Sequence, residues 1–407
     1  MSAVLPFDII ELIIETVGGE NEDTNLLKEL ALVSHSFHQI CSKHLFATIE
    51  LHDGVSCPDI ASSKKGFVKL VRNRPDVVKY IRKLTYEVSH FDDDGLHSPI
   101  LSNFLRTIPS LNYLIITSRV WMDWNKLNSS LTSAFLHLMH LPTVNHIDLS
   151  FIINFPLSSF TPSVNLLRLD ILRVEPFDPF REDGSLLFVQ SGMMPKLREF
   201  HMKMSNHMAK QMLLAKGQDG RPAFNFMDLR KLTMEFQKDD RHIRYALQNA
   251  KLLEKLHLHL DVDRSLVELH EILFPSVRTL KVLDLTVSLY NLRIPVFLGG
   301  ISEELEALAG HNMLEALSFR VYLDGYETED FIGSIIQKVE GVLVKPGWSA
   351  LREISFILKV FCLGSMGSRD AANLSKWLHS LRDKYLSHLS KLDSVTLNYS
   401  VENILMT

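Results

Sequence analysis

One spacing recurs along most of this chain: an apolar residue, two others, an apolar residue, one other, and a third apolar residue. It stands at Ile81-Leu84-Tyr86, Leu111-Leu114-Ile116, Val144-Ile147-Leu149, Leu166-Leu169-Ile171, Leu197-Phe200-Met202 and Leu229-Leu232-Met234. It continues at Leu253-Leu256-Leu258, Leu280-Leu283-Leu285, Leu314-Leu317-Phe319, Leu351-Ile354-Phe356 and Leu392-Val395-Leu397. Successive copies start roughly 22–41 residues apart. A recurrence on this scale means one small supersecondary unit repeated, and such a unit buries its apolar face only by stacking on its neighbours. The end of each copy alternates as a half-buried strand does. From Val144 onward the residue between the last two apolar positions is Asp148, Asp170, His201, Thr233, His257, Asp284, Ser318, Ser355 and Thr396. Strands in register put these in one solvated column, a signal independent of the apolar positions that define the copies.

Helical spacing fills several intervals. Leu131, Phe135, Leu138 and Met139 precede Pro142; Leu266, Leu269, Ile272 and Leu273 precede Pro275; Phe331, Ile335, Ile336 and Val339 precede Gly341. Leu374, Trp377, Leu378, Leu381, Tyr385 and Leu389 give the longest helix,. The strand-then-helix figure resembles the leucine-rich repeat. That resemblance implies an α/β solenoid with a parallel sheet on its concave face and helices outside, over residues 81–407. The asparagine that usually follows the last apolar position by three is absent. Ser89, Arg119, Ile152, Val174, Ser205, Gln237, Asp261, Ser288, Tyr322, Lys359 and Ser400 stand there instead. Backbone groups at those turns therefore need other partners, and the solenoid is expected to be irregular, with long variable connections.

Ahead of the repeats lies a different pattern. Pro6 suits the first turn of a helix. From there Leu5, Ile9, Ile10, Leu12, Ile13 and Val17 put apolar residues on more than one face, so one face packs inside and another is left for something else. A second helix is expected from about Leu26 to Cys41, capped by Asp23 or Thr24, beyond an acidic linker running from Gly18 to Asp23. This stretch resembles an F-box, on Leu5-Pro6-x-Asp8-Ile9-Ile10-x-x-Ile13-Ile14, Leu30-x-Leu32-Val33-Ser34-x-x-Phe37 and Leu45-Phe46. The resemblance implies an adaptor-docking module in residues 1–47, with Leu5, Pro6, Ile9, Ile13, Leu32 and Val33 meeting the Skp-type adaptor of a Skp–cullin–F-box ubiquitin ligase and, through it, a cullin. Many fungal F-box proteins join such a head to a degenerate leucine-rich-repeat body. Residues 48–80 read as a linker with the first capping elements: a strand-like Thr48–Leu51, a loop from Ser56 to Lys65, and a short helix from Gly66 to Arg74 ending before Pro75.

Composition narrows the function classes. At 407 residues, with 46% of them apolar, the chain can bury a large core,. A net charge of −5 offers no basic stripe for nucleic acid,. Three cysteines, none in a CxxC pair, argue against a disulfide framework or a thiolate zinc site and fit a reducing compartment, cytoplasmic or nuclear,. The N-terminus has no positive charge ahead of its apolar run, and no stretch of about 18 uncharged apolar residues appears, so neither a secretory leader nor a membrane span is expected.

No phosphate-binding glycine loop or nucleophile elbow occurs, and Gly364–Ser368 reads as a loop. His201 and His257, on strands two apart, stand roughly 10 Å from each other, too far to share a zinc ion. Asp92-Asp93-Asp94-Gly95 lacks the spaced ligands of a calcium loop. No metal or cofactor is expected, and neither is a catalytic residue. The expected function is a non-catalytic substrate receptor, which holds a substrate protein near the ubiquitin-charged enzyme. The alternative is a repeat scaffold that binds a partner without ligase association. Candidate substrate contacts on the polar sheet face are Glu199, His201, Lys203, Lys231, Thr233, Glu235, Lys255, His257, His259, Asp284 and Arg320.

Overall fold

The structure is a computed structural model that describes residues 7–20, 24–52, 63–89, 98–160, 162–177, 195–216, 221–236, 241–261, 269–288, 299–323, 329–362 and 368–405. It is an α/β chain with twelve strands and twelve α-helices among those residues. No described helix is long and apolar enough to cross a membrane. The chain forms two compact units, one of residues 1–195 and 207–224, the other of residues 196–206 and 225–407.

The first unit opens with three helices, α1 (Phe7–Glu20), α2 (Thr24–Leu30) and α3 (His35–Leu45). The single helix expected from Leu26 to Cys41 is therefore two. Ala31–Val33 form a turn, and Ser34, with extended backbone, accepts the Phe37 N–H at 3.3 Å as the N-cap of α3. A short hydroxyl at the cap position outcompetes continuation of the helix because it satisfies a free first-turn donor. The linker is also shorter than expected, since α1 runs through Gly18 and Gly19 to Glu20.

The strands and helices that follow are β1 (Thr48–Leu51), α4 (Lys64–Asn73), β2 (Lys83–Val88), α5 (Ser98–Arg106), β3 (Tyr113–Asp123), α6 (Ser129–Met139), β4 (His146–Phe155) and β5 (Arg168–Pro176). α4 starts two residues before the expected Gly66 because Ser63 caps it, accepting the Gly66 N–H at 2.9 Å. β1 to β5 pair in parallel in chain order. Leu84, Leu114, Ile147 and Leu169 are register partners, all fully buried. The helices pack on that side: the Phe135 ring of α6 meets the Tyr86 ring edge-on at 4.9 Å.

The second unit contains β6 (Glu199–Lys203), whereas α7 (Asn206–Leu214) belongs to the first unit from His207 onward. Next come β7 (Lys231–Phe236), α8 (Arg241–Asn249), β8 (Lys255–Asp261), α9 (Leu269–Leu273), β9 (Val282–Ser288) and α10 (Gly299–Leu308). The unit closes with β10 (Ala316–Leu323), α11 (Glu329–Leu343), β11 (Glu353–Cys362), α12 (Ser368–Tyr385) and β12 (Thr396–Leu405). These strands too are parallel and in chain order. Phe200, Leu232, Leu256, Leu283, Leu317 and Ile354 form one buried row.

The final copy is displaced. Ile354 pairs with Leu397 and Phe356 with Tyr399, so Asn398, not Thr396, continues the polar column after Ser355. Tyr399 takes the last apolar position because its hydroxyl finds a partner, donating to the Leu378 carbonyl at 2.5 Å. Burial raises its pKa. α11 likewise passes through Gly341, which was expected to end it. Asp92–Gly95, Leu266 and the glycines of the 364–367 loop lie outside the described residues.

Candidate functional site

Two surfaces carry the candidate residues. The first is the helical head. Its own small core is Ile10, Ile14, Leu27, Ile40 and Cys41, with Leu30, Ala31, Phe37 and Leu45 packed around it. Burial raises the Cys41 thiol pKa. The Lys43 ammonium meets Glu11 at 2.8 Å, joining α3 to α1. His38 shares a hydrogen bond of 3.0 Å with Arg74, just past α4.

With that core complete, α1 still turns a second stripe outward. Ile9 is 45% exposed, Ile13 44% and Leu12 60%. The turn ahead of α3 exposes more: Leu32 is 86% and Val33 65% exposed. The helix break explains this, because a turn lifts both side chains away from the α2 and α3 packing faces. Of the expected adaptor contacts, Ile9, Ile13, Leu32 and Val33 thus lie at the surface of the head, while Leu5 and Pro6 lie outside the described residues. Leu12 and Leu26 share the exposure and were not among the expected contacts. The step of three from Ile9 to Leu12 was the available signal.

The second surface is the open face of the sheet in the second unit, opposite its buried row. Register places Glu199, Lys231 and Lys255 in one row, His201, Thr233, His257 and Asp284 in the next, and Glu235, His259, Thr286 and Arg320 in a third. Lys203 lies two residues beyond His201 on β6 and is exposed. All the expected substrate contacts therefore share this face.

Their polar groups are tied to one another. Lys231 Nζ lies 2.7 Å from Glu199, and His201 Nδ1 is 2.8 Å from the Thr233 hydroxyl. His257 Nε2 is 2.8 Å from the Thr286 hydroxyl, and its Nδ1 is 3.5 Å from Asp284, which Arg320 approaches at 3.7 Å. The Ser288 hydroxyl is 3.1 Å from His259 Nε2. Burial pushes the His257 pKa down, and the positive charges of Arg320 and Lys203 add to this against the pull of Asp284. A neutral imidazole there offers a donor and an acceptor, not a charge. Asp284 Oδ1 is buried and accepts no hydrogen bond among the described residues. Such a face can read hydrogen-bonding groups on an extended partner. No group of three His, Cys, Asp or Glu among the described residues could hold a metal.

The open face of the first unit carries a row that the sequence reading passed over. Lys83, Tyr113, His146 and Arg168 are register neighbours. Lys83 Nζ lies 5.0 Å over the Tyr113 ring, and Tyr113 stacks on His146 at 3.7 Å. Asp170 then takes both His146 Nε2, at 2.6 Å, and Arg168 Nε, at 3.0 Å. Burial, and next the negative charge of Asp170, raise the pKa of neighbouring Asp148. Burial with both carboxylates nearby pushes the Tyr113 hydroxyl up to about 12. Each of Tyr113, His146 and Arg168 directly precedes the middle apolar residue of its copy, and that position was the signal. No family model matches the chain, and no curated protein sequence matches it either.

Proposed function

We propose that this chain is the substrate-recognition subunit of a Skp–cullin–F-box ubiquitin ligase, with an F-box head and a degenerate leucine-rich-repeat body. One observation carries the reading: the head completes its own core and still leaves Ile9, Leu12, Ile13, Leu32 and Val33 in water. Each such side chain contributes roughly 1.5–3 kcal/mol when moved out of water, so a protein partner is the simplest occupant of this surface. The head docks the Skp-type adaptor and through it a cullin, in the cytoplasm or nucleus. The open sheet face around His201, His257 and Asp284 takes the substrate protein. Ubiquitin transfer follows from proximity, with no catalytic residue supplied by this chain.

The test is co-purification with the adaptor. The double variant Ile9→Asp, Leu32→Asp is expected to abolish capture while leaving the circular dichroism spectrum unchanged. Capture undiminished by those charges favours the second reading, a repeat scaffold bound to its partner without a ligase.

A further inference from the structure

The sheet of the first unit is broken at one level near the C-terminal ends of its strands. Between β3 and β4 the register jumps: Thr117 pairs with Ser150, then Met122 with Ile152. Ser118 to Trp121 thus stand opposite the single residue Phe151, and Arg119, Val120 and Trp121 are all exposed. On the neighbouring strands Phe151 and Arg173 have φ of 61° and 52°. Bulky side chains adopt that region at a cost, and bulges with such residues re-aim side chains.

The side chains so displayed are of the kind that anchors protein interfaces. The Trp121 ring meets Phe151 edge-on at 6.2 Å, and the Arg173 guanidinium lies 5.1 Å over Phe151. Trp121 is 47% exposed, Val120 49% and, one residue past β5, Phe177 65%. Tryptophan, phenylalanine and arginine are enriched at interface centres.

Charge at this rim is asymmetric. The Glu87 side chain is only 12% exposed and lies against Arg119 and His52. Asp123, 18% exposed, accepts the Asn125 N–H and the Asn154 amide. The cations of the same contacts face water: Arg119 is 63% and Lys126 79% exposed. The rim therefore presents apolar rings beside two water-facing cations, Arg119 and Lys126, whose own acids are turned inward, while Glu175, between Arg173 and Phe177 in sequence, adds one half-buried carboxylate.

We infer that this rim is a docking site for an extended acidic segment of a partner protein, carrying an aromatic or aliphatic anchor between carboxylates. The site stands on its own geometry and rests on the ligase reading only in calling that partner a substrate. An array of synthetic peptides of about twelve residues, varied in acidic, basic and apolar content, is probed with the full-length protein. Peptides with Leu, Phe or Trp between Asp or Glu are expected to bind best, and Trp121→Ala to weaken them at least tenfold. Lys126→Glu removes an exposed cation without touching the rings and is expected to weaken only the acidic peptides. Equal binding by Trp121→Ala, or a preference for basic or uncharged peptides, overturns the inference. So does self-association of the wild-type chain that Trp121→Ala abolishes, since the occupant is then a second copy. Adaptor capture, measured on the same variants, is expected to be unchanged, so failure of the peptide site and failure of the ligase reading show up in different assays.

Discussion

Glu340 offers the most direct test of how a side chain of one helix caps the turn that leads into a later strand. It lies on α11, 5% exposed, and one carboxylate oxygen accepts the backbone N–H groups of His388 at 2.8 Å and Leu389 at 3.1 Å. Its other oxygen is 3.3 Å from His388 Nδ1. These donors open the 3-10 turn Leu389–Lys391, whose flanking His388 supplies no side-chain cap. The carboxylate is thus a cap delivered from another element, and it fixes the approach to β12. Hydrogen bonds to a charged group are worth about 1.5–3 kcal/mol each. The hydrogen bond of the His388 amide is only part-buried, so that N–H regains water when the acceptor is lost, whereas Leu389 is fully buried. Glu340→Ala is therefore expected to cost about 3 kcal/mol rather than the full worth of two bonds. Glu340→Gln keeps an acceptor and is expected to cost about 1 kcal/mol. Urea unfolding measures both, and hydrogen exchange at the Leu389 amide should accelerate in the alanine variant before any global change. An alanine variant within about 0.5 kcal/mol of wild type, with Leu389 exchange unaltered, refutes the reasoning.

Gly347 has φ of +123°, and an added Cβ would sit 2.8 Å from the backbone nitrogen of Gly310, which donates to the Gly347 carbonyl. Gly347→Ala is expected to cost about 2–4 kcal/mol in urea unfolding. In the head, Ile14 is fully buried and Leu32 is 86% exposed. Ile14→Asp should therefore unfold the head by circular dichroism and lose the adaptor, whereas Leu32→Asp should keep the melting temperature within about 2 °C and lose the adaptor alone. Asp148 tests the sign of a buried charge. Its pKa is raised in the folded state by burial and by Asp170, so the folded chain holds a proton that the unfolded chain has released. Stability from this group is present below the unfolded value near 3.8 and falls as pH rises through the raised one,. Asp148→Asn should thus raise the melting temperature at pH 7, with the gain shrinking toward pH 4; a gain independent of pH contradicts the assignment.

The sheet was legible because its evidence is local and periodic. Leu253, Leu256 and Leu258 announce β8 within six residues, and the same figure repeats wherever a strand must bury one face. The last register differs for a physical reason: Leu392, Val395 and Leu397 fit the apolar spacing, whereas in the observed pairing Leu397 is the middle position and the first, three residues before it, is the polar Ser394. The break at Ala31–Val33 was also in reach, since Ser34 is a strong cap residue, but an apolar count alone runs through it,. Glu340 was out of reach, because its partners lie 48 and 49 residues away and nothing local marks a carboxylate as a distant cap. The exposure of Ile9 and Ile13 follows from apolar residues on more than one face of α1, whereas Leu32 and Val33 were singled out by the resemblance to an F-box, since spacing alone put them inside a helix; the rim at Trp121 had no signal, because a bulge has no period.

The strict neighbour-to-neighbour pairing in the second unit has a consequence for how such a chain can change. β10 answers only to β9 and β11, and no ladder bond depends on how far the polypeptide wanders between them. What such a change must spare is the buried face of the connecting helix, here Ile332, Ile336 and Val339 of α11, while the exposed stretches between helix and strand carry no such demand. A chain built this way tolerates changes of length in those exposed stretches at small cost, because loop closure grows only slowly with loop length.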